Sequence, residues 1–475
     1  MKCVASIVVV FVCFAGVPLV AQVPHFQHII VVVQENRTPD NLFQGLCVPP
    51  YGNPDSCSTN PGPNQYNIQT SNWLDMTNAK GVIQPKLVGF ADPYDLDHYH
   101  EAFVWMCDNA FALNTPCRMD GAARVLCYGT CPSKPQFRYI DNSAGILNPY
   151  LDIATQYGFA NYMFQTNQGP SFPAHMYLFG GTSAPTADDD AIGIFAAENT
   201  FPINAASGCV ADINTYVAVI TPPGQEKSTI YPCLDFQTLG DFQQAFSWRY
   251  YTPDPSSIWT APTAIQHICQ SSGYNGHCLG SNWTNNVDVI PAHVLTDIAQ
   301  CNLRDVSWVI PSGYNSDHPD FNATGGPSWV ASIVNAVGAS NQCDGGAGYW
   351  NDTAILIVWD DWGGWYDHVA PPLRPQPQND YEWGFRVPLL VVSAYTPAGY
   401  IDNNQYDFGS VLRFIEQNFG LQEGVLNFAD ARAQTDLTAF FGSANGPRGF
   451  KSIKSPLDAT FFINDKRPQT PPDND

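Results

Sequence analysis

Two adjacent aspartates, Asp360-Asp361, directly follow the apolar run Ala354-Ile355-Leu356-Ile357-Val358-Trp359 and lead into Trp362-Gly363-Gly364-Trp365-Tyr366-Asp367-His368. Like charges beside a buried strand end repel in poorly screened surroundings, and a bound cation removes that cost. An ordinary solvated acidic loop looks different: Asp188-Asp189-Asp190 has no strand before it and is flanked by Ala and Thr. A second apolar run, Ile29-Ile30-Val31-Val32-Val33, is followed by Gln34-Glu35-Asn36-Arg37. Glu35 and Asn36 add a carboxylate and a neutral amide oxygen to the aspartate pair. Such an oxygen-rich set suits a hard or intermediate divalent cation better than a thiolate-seeking one. The alternative for Glu35-Asn36 is a strand-end cap. Asn36-Arg37-Thr38 also matches a glycosylation sequon, as do the triplets beginning at Asn282, Asn322 and Asn351.

Ser171 lies in Gly169-Pro170-Ser171-Phe172-Pro173. A hydroxyl followed closely by proline marks a helix start, with Ser171 near the N-cap. The same geometry sets free N–H groups and the positive dipole end beside a nucleophilic oxygen, an arrangement that binds phosphate. Among the 10 histidines, His98 and His100 sit in Asp95-Leu96-Asp97-His98-Tyr99-His100, and His318 follows Ser316-Asp317. His318, just beyond an inferred strand, is the strongest of the three for a phosphate contact or proton donor.

These groups need a scaffold that gathers them. Trp308-Val309-Ile310, Leu389-Leu390-Val391-Val392 and the stretch Phe159 to Phe164 join the two runs above as buried strands. Their apolarity is continuous rather than alternating, as a sheet covered on both faces requires. Between them, Val411, Phe414, Ile415 and Phe419 follow the helical period up to Gly420, and Tyr150 to Tyr157 ends at Gly158. Strands alternating with helices predict a three-layer α/β/α sandwich with a largely parallel central sheet. In such sheets ligands bind beyond the carboxyl ends of the strands, where the polar sets fall.

Composition narrows the class. The 475-residue chain carries 43 Asp+Glu against 20 Lys+Arg, a net charge of −23 that excludes nucleic acid as a phosphate-backbone partner. Charged residues are 13% of the chain, against roughly 25% in typical soluble domains. Aromatics are also 13%, too many for disorder. Lys2, the apolar stretch Val4 to Val20 and the small-residue site Leu19-Val20-Ala21 predict a signal peptide over 1–21, the alternative being a short membrane anchor. No later stretch is long and apolar enough to span. Cys3 and Cys13 would leave with the signal, and 12 cysteines remain in short-range groups. No CxxC pair offers a zinc knuckle, so disulfides in a secreted or periplasmic protein are expected, with connectivity open. We expect one domain over 22–467, with disulfide-containing insertions, and a flexible tail over 468–475.

At this point the pattern resembles the bacterial phospholipase C/acid phosphatase type phosphoesterases of the alkaline phosphatase superfamily. The matching segments are Gln34 to Phe43, Gly169-Pro170-Ser171, Ser316-Asp317-His318-Pro319 and Trp359 to Val369. Arg118-Met119-Asp120-Gly121 is similar to the family's segment after its first histidine. The resemblance implies an alkaline-phosphatase-like fold. It implies one divalent metal ion at Glu35, Asn36, Ser171, Asp360 and Asp361, with Ser171 the nucleophile of a phosphoserine intermediate. It also implies that His98 and His318 line the phosphate site, with His100 an alternative to His98. Two positions depart from the pattern: Ala174-His175 stands where members often carry Asn-Arg, and Thr38-Pro39 replaces Ser-Phe. At 475 residues the chain is expected to lack the C-terminal β-domains of longer phospholipase C members.

The expected function is hydrolysis of a phosphate ester, first of a monoester in the manner of an acid phosphatase. A phospholipase C acting on phosphatidylcholine-type headgroups without a stable membrane span is the alternative enzyme. From another class, a secreted non-catalytic protein could use its 12 Trp and 22 Tyr to stack on sugars. The expected placement of Glu35, Ser171, Asp360 and Asp361 separates these readings.

Overall fold

The computed structural model describes residues 24–469 except 92, 109–114, 204, 320–323, 374–380 and 443–445. The expected signal peptide, most of the expected tail and the Asn322 sequon lie outside the described residues. Eight strands form the central sheet: β1 His28–Gln34, β2 Gly158–Met163, β3 Trp248–Tyr251, β4 Val287–Asp288, β5 Val306–Val309, β6 Thr353–Trp359, β7 Leu389–Ser393 and β8 Tyr400–Tyr406. Their order is β4-β3-β5-β1-β6-β7-β2-β8. All seven residues of β1 and of β6 are buried. Consecutive side chains point to opposite faces, so helices and loops cover both.

Five helices bear on the site: α1 His100–Cys107, α2 Asn148–Gln156, α3 Ser171–Gly180, α4 Gly326–Gly338 and α5 Phe408–Asn418. Helices α2 and α4 pack on one another, as do α3 and α5. Asp407 caps α5 through a reciprocal box with Ser410, which starts the helix three residues before Val411, where the apolar period becomes visible.

The expected largely parallel sheet is present. Five of its seven pairings are parallel, and the exceptions both involve β7. Strand β7 runs opposite to both of its neighbours, β6 and β2. Strands β1, β2, β5 and β6 therefore share a direction, and their carboxyl ends meet at one rim. The six disulfides join Cys47–Cys57, Cys107–Cys117, Cys127–Cys131, Cys209–Cys233, Cys269–Cys278 and Cys301–Cys343. Among the described residues no helix is long and apolar enough to cross a membrane.

One buried network locks three strand ends together. Asp317 Oδ2 accepts from Tyr150 Oη at 2.7 Å and from Trp359 Nε1 at 3.1 Å, and Gln34 Nε2 donates to Tyr150 Oη at 2.7 Å. Arg37 Nε donates to the Asp317 carbonyl at 2.9 Å. Burial pushes the Asp317 carboxyl up to about 7, against which its hydrogen bonds and Arg37 act only in part. An acid raised in the folded state binds its proton more tightly than the unfolded chain does. Its contribution to stability is therefore present at low pH and lost as pH rises from about 4 to about 7. Asp407 and Glu382, pushed up to about 6 and about 7 by burial, act in the same sense. We expect the melting temperature of metal-free protein to fall across this interval, and Asp317→Asn to flatten the slope. Parallel slopes for variant and wild type in a melting series would contradict the assignment.

Candidate active site

Strand register brings the acidic groups together. Gln34 pairs with Trp359 across β1 and β6, so Glu35-Asn36 and Asp360-Asp361 leave the sheet side by side. The Asp360 N–H donates to the Gln34 carbonyl at 2.9 Å, that of Arg37 to the Asp361 carbonyl at 3.1 Å, and that of Glu35 to the Ser316 carbonyl at 2.8 Å. Asn36 takes a left-handed backbone with φ 58°, which Asn tolerates better than most residues. Gly363 must be glycine: at φ 57° an added Cβ would lie 2.4 Å from the Asn36 carbonyl oxygen. Gly364 likewise lets the loop lie against Leu96 and Asp97, next to His98.

Glu35, Asn36, Ser171, Asp360 and Asp361 are all fully buried. Ser171 Oγ donates toward Asp361 Oδ2 at 3.3 Å and Glu35 Oε2 at 3.4 Å. Asp360 Oδ1 accepts from the N–H groups of Asn36 at 3.1 Å and Asp361 at 2.7 Å, and Asp361 Oδ1 from that of Gly363 at 2.7 Å. Asn36 Oδ1 and Asp360 Oδ2 are buried with no hydrogen-bond donor among the described residues. Leaving such oxygens unsatisfied is costly, the more so for a charged one. A divalent cation answers both the unsatisfied oxygens and the crowding of negative charge, so this donor set fits one.

Ser171 is the first residue of α3, with Pro170 at the N-cap and no side-chain cap. The expected capping role is thus not its own; its hydroxyl turns to the carboxylates instead. The loop presenting it is shaped from within. Gln165 Nε2 and Asn167 Nδ2 both donate to the Gly169 carbonyl, at 3.0 and 2.9 Å. One of the first amides of α3, that of Phe172, donates to Asn199 Oδ1 at 2.9 Å.

His98 and His318 are buried with ring centroids 6.4 Å apart. Carbonyl oxygens only accept, so His98 donates through Nδ1 to Leu96 at 2.8 Å, and His318 through Nδ1 to Pro319 at 2.6 Å. His98 Nε2 lies 3.1 Å from Asn36 Nδ2 and 3.9 Å from Asp361 Oδ2. His100 faces elsewhere: its Nδ1 lies 2.8 Å from Glu226 Oε1, and its N–H donates to Glu198 Oε1 at 3.0 Å. Burial, aided by Glu226, holds the Glu198 carboxyl well above the usual range. Arg118 is on the surface, paired with Asp108 at 3.1 Å.

Two readings of the sequence need correction. Asp188-Asp189-Asp190 is not a bare loop but the first turn of the short helix Ala187–Ala191, with Thr186 at its N-cap. Asp190 is buried there and pairs with Arg432 at 2.8 Å. The burial of Asn36 also removes that sequon from the surface.

The residue that the sequence reading passed over is His175, noted only as a departure from the pattern. One ligand atom from each of Glu35, His175 and Asp360 falls within 4.8 Å of the other two. Its signal was present in the spacing: four residues after Ser171 places it on the same face of a helix. A second acidic set, Asp40, Asp367 and His368, is equally tight. There Arg386 already supplies the counter-charge, at 2.8 Å from Asp367 Oδ2 and 3.5 Å from Asp40 Oδ1.

Residues 26–422 match the Phosphoesterase family, and the chain belongs to it. It is 29% identical over 180 residues to a non-hemolytic phospholipase C of Pseudomonas aeruginosa, covering 31% of this chain and 25% of that one. Against a hemolytic phospholipase C of the same organism it is 23% identical over 329 residues, covering 62% and 41%. The chain thus spans less than half the length of these two relatives. A non-specific phospholipase C1 of Arabidopsis thaliana is 27% identical over 465 residues, covering 90% of this chain and 74% of the relative. Among solved structures, a protein in the alkaline phosphatase superfamily from Vibrio parahaemolyticus is similar with a TM-score of 0.32 and 12% identity, over 58% of this chain and 61% of that one.

Asp360→Asn keeps the oxygen that accepts two backbone amides and removes one charge from the cluster. The metal-free variant should melt higher than wild type, because carboxylate repulsion falls. Its affinity for Mn²⁺ should drop at least about tenfold. A lower melting temperature combined with unchanged affinity would contradict the electrostatic reading.

Proposed function

We propose that the protein is an extracytoplasmic, metal-dependent phosphoric ester hydrolase that works through a Ser171 nucleophile. The observation that carries this is the convergence of the Ser171 hydroxyl on the Glu35 and Asp361 carboxylates at the amino end of a helix. A sugar-binding protein has no need of that arrangement. Glu35, Asn36, Ser171, Asp360 and Asp361 would hold one divalent ion, which when bound lowers the pKa of a nearby hydroxyl and draws electrons from a phosphate oxygen.

The chain's own groups do the rest. The amino end of α3 favours the negative charge of the phosphoryl group. Ser171 Oγ passes its proton to the Asp361 carboxylate that it faces at 3.3 Å and attacks phosphorus in line; the Oγ–P bond forms as the bond to the leaving oxygen breaks. His318, held through Nδ1, gives its proton from Nε2 to the leaving oxygen, while His98 lines the phosphoryl oxygens. Water then gives a proton to His318 as it forms the new O–P bond, the phosphoserine bond breaks, and Asp361 returns its proton to Ser171. The products are phosphate, or a phospho-alcohol, and the released alcohol.

On this reading residues 22–467 form the catalytic domain behind a cleaved signal peptide, consistent with six disulfides. The substrate is a phosphomonoester in the manner of an acid phosphatase. A second reading, a phospholipase C acting on phosphatidylcholine-type lipids, is favoured by the names of the relatives. Phosphorus analysis of the products separates the two: inorganic phosphate marks the first, phosphocholine the second. Under either, Ser171→Ala should lower kcat at least about 10³-fold with the fold intact. A variant that keeps near-normal turnover would remove Ser171 from the chemistry.

A further inference from the structure

His175 stands where an oxygen-only metal site would have no nitrogen. Its ring is buried, stacked on Trp259 with centroids 5.9 Å apart and planes 18° from parallel. Tyr250 Oη donates to the Trp259 carbonyl at 2.6 Å and steadies that platform. Nε2 lies 3.2 Å from Glu35 Oε1 and 3.8 Å from Asp360 Oδ2. The first distance allows a weak hydrogen bond, whereas the second is too long for one. Asp360 Oδ2 is buried and has no hydrogen-bond donor among the described residues. A histidine serving only as a counter-charge would be expected to close on it.

Both distances fit another arrangement. Donor atoms about 2.1 Å from a shared ion, at angles between 90° and 130°, lie about 3.0–3.8 Å from one another. We propose that His175 Nε2 is a direct ligand of the divalent ion, turning the oxygen set into a mixed nitrogen–oxygen one. The proposal rests on the metal-dependent reading above. An imidazole favours borderline ions such as Fe²⁺, Co²⁺ or Zn²⁺ over Mg²⁺ and Ca²⁺, with Mn²⁺ between the two groups. It also couples the ion to the nucleophile mechanically. Ser171 and His175 are one helical turn apart on α3, so a single rigid element sets the position of both relative to the ion.

The test is Mn²⁺ binding to the full chain, followed by EPR, with pulsed EPR for nitrogen coupling, independent of turnover. Wild type should show the coupling of a directly bound imidazole nitrogen, and should bind Mn²⁺ at least about tenfold more tightly than Mg²⁺. In His175→Gln the coupling should vanish, Mn²⁺ affinity should fall at least about tenfold, and the preference over Mg²⁺ should narrow. The coupling should persist in His98→Gln and His318→Gln, which assigns it to His175 even where His175→Gln does not fold. Mn²⁺ bound without nitrogen coupling, coupling that survives His175→Gln, or tighter Mn²⁺ binding by that variant would each overturn the proposal. The last result would mark His175 as a cation competing with the metal. Failure of wild type to bind any divalent ion is a separate outcome: it removes the metal-dependent reading itself, and the ligand assignment with it.

Discussion

Burial of like charge is the constraint from which this architecture follows. Glu35, Asp360 and Asp361 meet at the rim of a sheet where water is excluded, and Asp360 Oδ2 has no hydrogen-bond donor among the described residues. No packing arrangement makes that cheap. What the fold does is confine the cost to one place. Backbone amides of Asn36, Asp361 and Gly363 point at the carboxylates, the amino end of α3 faces them, and Gly363 yields the room for Asn36 to turn. The site is thus organised around a positive charge to be supplied from outside the chain, which is the physical basis for reading it as a metal centre.

The contrast with the Asp40–Asp367–His368 set makes the point from the other side. That group is also acidic and compact, yet Arg386 lies within it and donates to Asp367 through two nitrogens. Its charge is settled internally, and its role is to pin the chain that follows β1 to the loop that follows β6. Two clusters of similar composition therefore differ in a single respect, whether the chain provides the cation. Composition alone would not tell them apart.

Much of this was legible in the sequence because strand ends are. Continuous apolar runs marked five strands of the central sheet, and the polar residues after four of them, β1, β2, β5 and β6, marked one rim. Strand β8, Tyr-Ile-Asp-Asn-Asn-Gln-Tyr, escaped notice because an edge strand with a register shift has no apolar run to show. The reversal of β7 was invisible because direction depends on where the chain re-enters, not on the strand's own residues. At the site, oxygen donors stood out as adjacent pairs, whereas His175 stood alone among apolar neighbours in a helix. Its meaning depends on the distance to residues some 140 positions away. The aspartate triplet at 188–190 misled for the same reason, since its partner Arg432 is remote in sequence.

That remoteness has a consequence for how the protein comes into being. Asn36 and Asp360 touch across 324 positions, and β1 is flanked on both sides by strands from the last two-fifths of the chain. Contacts of such separation form late, after the chain connecting them has been made. A growing polypeptide that has not reached residue 360 holds Glu35 but neither Asp360 nor Asp361. The acidic set is therefore complete only once about three-quarters of these 475 residues have been joined, so the cation site is withheld from the earlier nascent chain by topology alone.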